Sequence, residues 1–182
     1  MIYDNHLLIV SGTGRNVGKT ELVCRLIARF SARTDIFGLK VSAIFPDEHL
    51  FHGNHTSIGT GRTLFRETSR DTQKDTSRML RSGATEVYYM QGDRTSIQAD
   101  FLTLRKTLPE KSVIISESNS LSEVVRPALH LVVTSHSGEV KARALPLLDS
   151  ADLVITSDGV SGFPGIETID LDPSGDWHII AT

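Results

Sequence analysis

Residues 6–20 read H-L-L-I-V-S-G-T-G-R-N-V-G-K-T, an apolar run that ends at Ser11 and opens into a glycine-rich turn. The run is short enough to be an interior strand of a parallel sheet. Apolar residues then recur at helical spacing, namely Leu22, Val23, Leu26, Ile27 and Phe30. A strand, a glycine-rich loop and a helix in this order predict a phosphate-binding loop.

Each residue type in the turn meets a separate chemical requirement of phosphate binding. Glycines let backbone N–H groups close around phosphate oxygens, and the start of the helix adds the positive end of its dipole. Lys19 supplies a mobile positive charge, and the Thr20 hydroxyl suits one position around Mg²⁺. The predicted nucleotide-binding residues are Gly12, Thr13, Gly14, Arg15, Asn16, Val17, Gly18, Lys19 and Thr20.

The turn also departs from the common pattern G-x-x-x-x-G-K-[ST]. Thr13 stands at the position of the first glycine, and Gly12 makes the loop one residue longer. The segment S-G-T-G-R-N-V-G-K-T resembles the T-G-T-x-x-x-V-G-K-T loop of the dethiobiotin synthetases and their relatives. The signature lysine of the septum-site-determining ATPases, which share this division of P-loop proteins, would fall at Gly14 and is absent.

Composition limits the class of protein. A chain of 182 residues with a net charge of -3 fits one globular domain and has no basic footprint for nucleic acid. The N-terminal apolar run is too short to span a bilayer or to serve as a signal peptide. We therefore expect a cytoplasmic protein with no nucleic-acid or membrane partner. The one cysteine, Cys24, is expected to be a buried thiol, and a nucleophilic role is the weaker alternative.

Lys40 lies near the end of a predicted second strand, Thr34 to Val41. Open α/β sheets place ligands at the carboxyl ends of their strands, so Lys40 is a candidate functional residue. In the dethiobiotin synthetases a lysine in a similar G-x-K segment lies near the phosphates and the substrate. The alternative is an exposed lysine at a strand end.

Residues 42–70 lack lasting periodicity and predict a long loop that orders over a ligand or partner. The loop carries His49, His52 and His55 beside Asp47 and Glu48. Imidazoles with carboxylates are credible ligands for zinc or another transition metal, which makes the three histidines a candidate second metal site. Solvated loop histidines are the alternative.

Residues 74–87 read K-D-T-S-R-M-L-R-S-G-A-T-E-V, and a helix is predicted from Asp71 to Arg81. The segment resembles the G-K-D-[ST]-x-R motif, the Gly-Ala pair and the strand of protein B of molybdopterin-guanine dinucleotide biosynthesis, with Gln73 in place of the glycine. By that resemblance Asp75 is a Mg²⁺ carboxylate. The alternative is an aspartate favoured in the first turn of a helix.

Further strands are predicted at Thr85–Met90, Val113–Ser116, 129–134 and 152–156, with an amphipathic helix at 97–108. Glu117 directly follows one strand and could reach Mg²⁺ or its water, as the acidic residue of both resembling families does; a solvated edge carboxylate is the alternative. Thr156-Ser157 replaces the Asn-Lys pair with which related GTPases recognise the base. Two short strands are expected around residues 172–175.

These features predict one doubly wound α/β domain with a mostly parallel sheet. The resemblance implies a nucleotide-binding protein, with GTP favoured over ATP, that hydrolyses nucleotide slowly and assists attachment of a nucleotide to molybdopterin. A protein of cofactor biosynthesis would be its partner, and a second copy of the chain is left open. Lys19, Lys40 and Glu117 would act on the phosphates, and Thr20, Asp75 and Glu117 would hold Mg²⁺.

Two other functions stay open at this point. One is an ATP-dependent carboligase similar to dethiobiotin synthetase, in which Lys19 and Lys40 neutralise the transferred phosphoryl group. The other is a nucleotide-gated adaptor or metallochaperone whose histidine loop holds a partner or a metal. Product formation without a partner favours the ligase, and stoichiometric metal binding favours the chaperone.

Overall fold

The computed structural model describes residues 1–43, 56–57, 63–135, 140, 142–157 and 162–180. Within these ranges the strands are β1 (Ile2–Gly12), β2 (Ile36–Ala43), β3 (Thr56–Ser57), β4 (Leu64–Arg66), β5 (Glu86–Gly92), β6 (Val113–Glu117), β7 (Val125–Ser135), β8 (Leu153–Ser157), β9 (Ile169–Leu171) and β10 (Trp177–Ile179). The helices are α1 (Lys19–Phe30), α2 (Asp75–Arg81), α3 (Arg94–Thr107) and α4 (Leu145–Asp149). Short 3₁₀ turns lie at Leu121–Glu123, Ala142–Ala144 and Ile166–Thr168.

The described strands form one large sheet and one small hairpin. The order in the large sheet is β3-β4-β5-β2-β6-β1-β7-β8. Strands β5, β2, β6, β1, β7 and β8 are parallel to one another, while β4 pairs antiparallel with β5 and with β3 at one edge. The predicted doubly wound, mostly parallel sheet is therefore confirmed, and all six parallel strands end at one edge, where such folds bind ligands.

Helices cover both faces of the sheet because its central strands are apolar on both sides. Leu7, Leu8, Ile9 and Val10 of β1 are all fully buried. Leu8 and Val10 pack in a cluster with the apolar face of α1, whereas Leu7 and Ile9 pack in a second cluster with that of α3. Strands buried on both faces are typical of parallel sheets with helical crossovers.

The C-terminal hairpin agrees with the prediction. Strands β9 and β10 pair antiparallel around the turn at residues 172–175. Trp177 places its ring edge-on to Phe30 at the end of α1, with 5.1 Å between ring centroids. The hairpin therefore supports the helix that follows the glycine-rich loop.

The predicted long loop at residues 42–70 is shorter in the structure. Ser42 and Ala43 still belong to β2, and Leu64–Arg66 forms β4, which pairs with β5 and β3. Leu64 is 1% exposed and packs in the cluster with α3, so burial of this leucine explains why the segment joins the sheet. His49, His52 and His55 lie outside the described residues.

The start of α2 also differs from the prediction. The helix begins at Asp75 rather than Asp71, and Lys74 is its N-terminal flanking residue, without a side-chain cap. Thr72 instead accepts a hydrogen bond from the Lys74 backbone N–H (3.2 Å) and bonds to the Ser77 hydroxyl (2.6 Å). These bonds stabilise a turn before the helix, which postpones its start. Gly83 follows the helix with a φ of 108°, as predicted for its end.

Among the described residues, no helix is long and apolar enough to cross a membrane.

Candidate functional site

The glycine-rich turn connects β1 to α1 at the carboxyl edge of the sheet. Gly18 has a φ of 101°, and α1 begins at the next residue, so the turn ends directly on a helix of 12 residues. Within the described part of the chain, the backbone N–H groups of residues 14–18 donate to no backbone carbonyl. A loop of such N–H groups at a helix start is suited to an anion.

Lys19 folds back across the loop. Its Nζ donates to the carbonyl oxygen of Gly14 at 2.8 Å. A Cβ atom added at Gly12 would lie 2.8 Å from side-chain carbons of Lys19 and of Val17, so glycine is required under the lysine stem. Burial lowers the pKa of Lys19 and nearby Lys40 lowers it further, whereas Glu117 and Asp75 oppose the shift.

The chain at β6 and at β7, the two strands next to β1, hydrogen-bonds to the start of the loop. The side-chain amide of Asn119, after β6, accepts from the Gly12 N–H and donates to the Gly12 carbonyl oxygen, each at 2.9 Å. On the β7 side, the Thr13 N–H donates to the Val133 carbonyl oxygen (3.0 Å). Sequence analysis missed Asn119, although its position two residues beyond a strand end was a usable signal.

A cluster of charged side chains lies beside the loop. Lys40 Nζ donates to Glu117 Oε1 at 2.7 Å and also to Asp75 Oδ2. The Thr20 hydroxyl donates to Glu117 Oε2 at 2.7 Å. Lys40 and Glu117 meet because they are paired in register on the adjacent strands β2 and β6. The structure thus brings together four residues that were predicted separately.

Lys40 holds the two carboxylates together. Burial by itself would lower the pKa of Lys40, but the charges of Glu117 and Asp75 and their hydrogen bonds outweigh it and raise the pKa. The carboxyl group of Glu117 is almost fully buried, while that of Asp75 is partly exposed. The ammonium group is thus firmly charged and shared between two acids.

The donor set of this cluster fits Mg²⁺. Two carboxylates share the Lys40 ammonium group and the Thr20 hydroxyl bonds to one of them, and hard oxygen ligands are those that Mg²⁺ prefers. The described residues contain no group of three or more His, Cys, Asp or Glu that could hold a metal, so phosphate oxygens and waters would complete the shell.

A cleft of about 870 Å³ opens beside this cluster. Arg15, Lys19, Lys40 and Glu117 line it together with residues of β2, α3, α4 and the β6–β7 connection. This volume is in the range of small-molecule sites, about 300–1,000 Å³. The cleft therefore has room for a ligand larger than a phosphate group.

A buried polar chain runs from the loop entrance to the end of α4. The Ser11 hydroxyl donates to the Ser118 carbonyl oxygen (2.6 Å) and lies 2.8 Å from His130 Nε2. Because Ser11 uses its only hydrogen on Ser118, Nε2 of His130 carries the hydrogen of this bond. Nδ1 lies 3.3 Å from both the carbonyl oxygen and the hydroxyl of Ser150. Sequence analysis missed this chain, since a histidine inside an apolar strand gives no pattern.

Acidification should destabilise the protein through His130. Burial lowers the pKa of His130 below its usual 6.5, although the Ser150 carbonyl and the Asp152 carboxylate oppose the shift. The unfolded chain therefore takes up this proton first, and the free energy of unfolding falls as the pH drops below about 6.5. We expect His130→Gln to remove this part of the pH dependence.

Urea unfolding between about pH 5 and pH 7 measures this effect. His178→Gln is the control because it replaces an exposed histidine on β10. Identical pH dependence in the parent protein and in His130→Gln would show that the buried imidazole does not titrate with folding.

Cys24 is buried in α1, which agrees with the expected structural thiol. Burial raises its pKa, and a hydrogen bond with Ser82 opposes the shift only in part. A thiol of this kind is a poor nucleophile.

Comparison of the chain with protein-family models and with curated proteins finds no match.

Proposed function

We propose that this chain is a Mg²⁺-dependent nucleotide-binding protein that hydrolyses nucleoside triphosphate slowly. The observation that carries the proposal is the position of Lys19 and the glycine-rich loop directly beside Thr20, Lys40, Asp75 and Glu117. The glycine-rich loop and the three charged residues outside it come from separate parts of the chain, and they meet at one edge of the sheet. Phosphate binding and metal binding need this proximity.

Each side chain has a role in this proposal. Lys19 exchanges the Gly14 carbonyl for a phosphate oxygen, and the N–H groups of the loop bind the remaining oxygens. Thr20, Asp75 and Glu117 would hold Mg²⁺, which neutralises charge on the phosphates when it is bound. Lys40, which bonds to both carboxylates in the structure, would give way to Mg²⁺ there and would supply positive charge to the phosphates. Glu117 stays close to the reacting phosphate and can orient a water.

Slow turnover is part of the proposal. Among the described residues that line the cleft there is no glutamine of the kind that positions water in fast GTPases. GTP is proposed as the favoured nucleotide and assistance to nucleotide attachment on molybdopterin as the role, both from the sequence resemblance alone. Calorimetric titration with Mg-ATP and with Mg-GTP tests the nucleotide directly, and no binding of either would refute the function.

A carboligase is the second candidate, and the cleft favours it. The space beside Lys40 and Glu117 extends well past the phosphate loop, so a second substrate fits next to a transferred phosphoryl group. Positive side chains on both sides of such a group would stabilise its charge. Nucleotide consumption that requires a small acceptor, without any protein partner, would favour this candidate.

Thr20→Ala should weaken the Mg²⁺ dependence of nucleotide binding without abolishing binding. The change removes one oxygen ligand and one hydrogen bond to Glu117, but no charge. We expect the Mg²⁺ concentration for half-maximal nucleotide binding to rise on the order of tenfold. Thr103→Ala is the matched control, because that exposed hydroxyl lies on α3 and donates to its own helix. An unaltered Mg²⁺ titration would exclude Thr20 from the metal site.

A further inference from the structure

The part of the cleft beyond the phosphate loop has its own set of polar side chains. Arg94 is the first residue of α3. Strand β5 ends just before it at Gly92, and Gly92 pairs with Ala43 at the end of β2. The β6–β7 connection adds Ser120 and Ser122, and Ser42 lies at the end of β2. All of these residues line the same cleft as Lys19 and Lys40.

This lining is positively charged although the whole chain is acidic. Among the described residues, it contains Arg15, Lys19, Lys40 and Arg94 against two carboxylates, those of Glu117 and Glu123. Asp75, which contacts Lys40 beside the cleft, reduces this excess to one positive charge. The chain as a whole has a net charge of -3. A cleft of one sign concentrates ligands of the opposite sign, here anions.

Arg94 has no carboxylate partner in the described part of the chain. Its guanidinium donates to the backbone carbonyl oxygen of Glu123 at 2.9 Å. The carboxylate of the preceding Asp93 bonds to the N–H (2.8 Å) and the hydroxyl (2.7 Å) of Ser96 rather than to the guanidinium. The remaining N–H donors of the guanidinium therefore stay available to a ligand in the cleft.

We propose that this part of the cleft binds a second ligand, a small polar molecule with a phosphate or carboxylate group that Arg94 contacts. The hydroxyls of Ser42, Ser120 and Ser122 supply hydrogen bonds to the rest of the molecule. The apolar residues of the lining, Met1, Val41, Ala43, Pro146 and Leu147, would contact the carbon skeleton of this molecule. The inference rests on the proposed function, in which the phosphate loop is filled by Mg-nucleotide.

The test uses the full chain with its phosphate loop occupied. Mg-nucleotide binding is measured first, and its failure refutes the proposed function rather than this inference. With a saturating non-hydrolysable Mg-nucleotide, glycerol 3-phosphate, succinate and neutral glycerol are then titrated by calorimetry. The two anions distinguish phosphate from carboxylate, and we expect at least one of them to bind while glycerol does not.

Arg94→Gln should weaken binding of the anionic probe about tenfold or more, since it removes a charged donor. Lys106→Gln is the matched control, because it makes the same change of charge on an exposed lysine near the other end of α3. Nitrogen NMR of the Arg94 side chain should shift with the probe. Equal affinity of glycerol and the anions, or a loss caused by Lys106→Gln as large as that caused by Arg94→Gln, would overturn the proposal. Absence of probe binding to a nucleotide-loaded protein would overturn it as well.

Discussion

Lys19→Ala should reduce Mg-nucleotide affinity at least about 100-fold, which is ~2.7 kcal/mol of binding free energy. The side chain lies over the loop and donates to the Gly14 carbonyl, so a bound phosphate would replace a neutral acceptor with a charged one. Hydrogen bonds between charged groups are the strong ones, and this one would be lost together with its Coulomb attraction. Calorimetry with Mg-ATP and Mg-GTP measures the loss.

The fold should survive this substitution, although the lysine stem packs on Gly12. Lys19→Met keeps much of that packing and removes only the charge, so both variants should lose affinity equally while Lys19→Met keeps the higher melting temperature. Lys106→Ala on α3 is the control for a lysine distant from the loop. Normal folding with unchanged nucleotide affinity in both Lys19 variants would refute the assignment of a phosphate-binding loop.

The sequence predicted the parts of the site that depend on local order. The apolar run of β1, the glycine-rich turn and the apolar stripe of α1 are local patterns, and each appears in the structure at its predicted place. Lys40 and Glu117 were also found from sequence, because both lie at strand ends and parallel strands bring those ends to one edge. The strand order that makes them neighbours could not be predicted from either strand alone.

Other parts of the site depend on tertiary contacts and gave no local signal. Asn119 hydrogen-bonds to Gly12 only because β6 is next to β1. An asparagine after a strand is common in turns, so its position alone did not indicate this role. His130 is buried among apolar neighbours, and its role comes from Ser11 and Ser150, which are distant in sequence. The strands β3 and β4 were not predicted because they are too short to show alternation.

The cluster around Lys40 links the stability of the ligand-free protein to its metal chemistry. In the structure one ammonium group is shared by Glu117 and Asp75, and Thr20 satisfies the other oxygen of Glu117. Without this cation, the Glu117 carboxylate would be buried beside another acid with no positive partner in contact. Removing one member of a buried ion pair costs about 3–5 kcal/mol because the remaining charge stays buried.

Lys40→Met should therefore destabilise the metal-free protein by about 3 kcal/mol, and Mg²⁺ should restore a large part of that loss. The methionine keeps an unbranched apolar stem, so the change isolates the charge. Thermal unfolding with EDTA and with Mg²⁺ measures both effects, and the parent protein should show a much smaller Mg²⁺ response because its lysine competes for the same carboxylates.

Adding Glu117→Gln to Lys40→Met is the internal control: it removes the unpaired buried charge, so the double variant should regain stability in EDTA and lose the response to Mg²⁺. A Lys40→Met protein as stable as the parent in EDTA would mean that the two carboxylates do not depend on the lysine, and the proposed exchange of Lys40 for Mg²⁺ would be wrong.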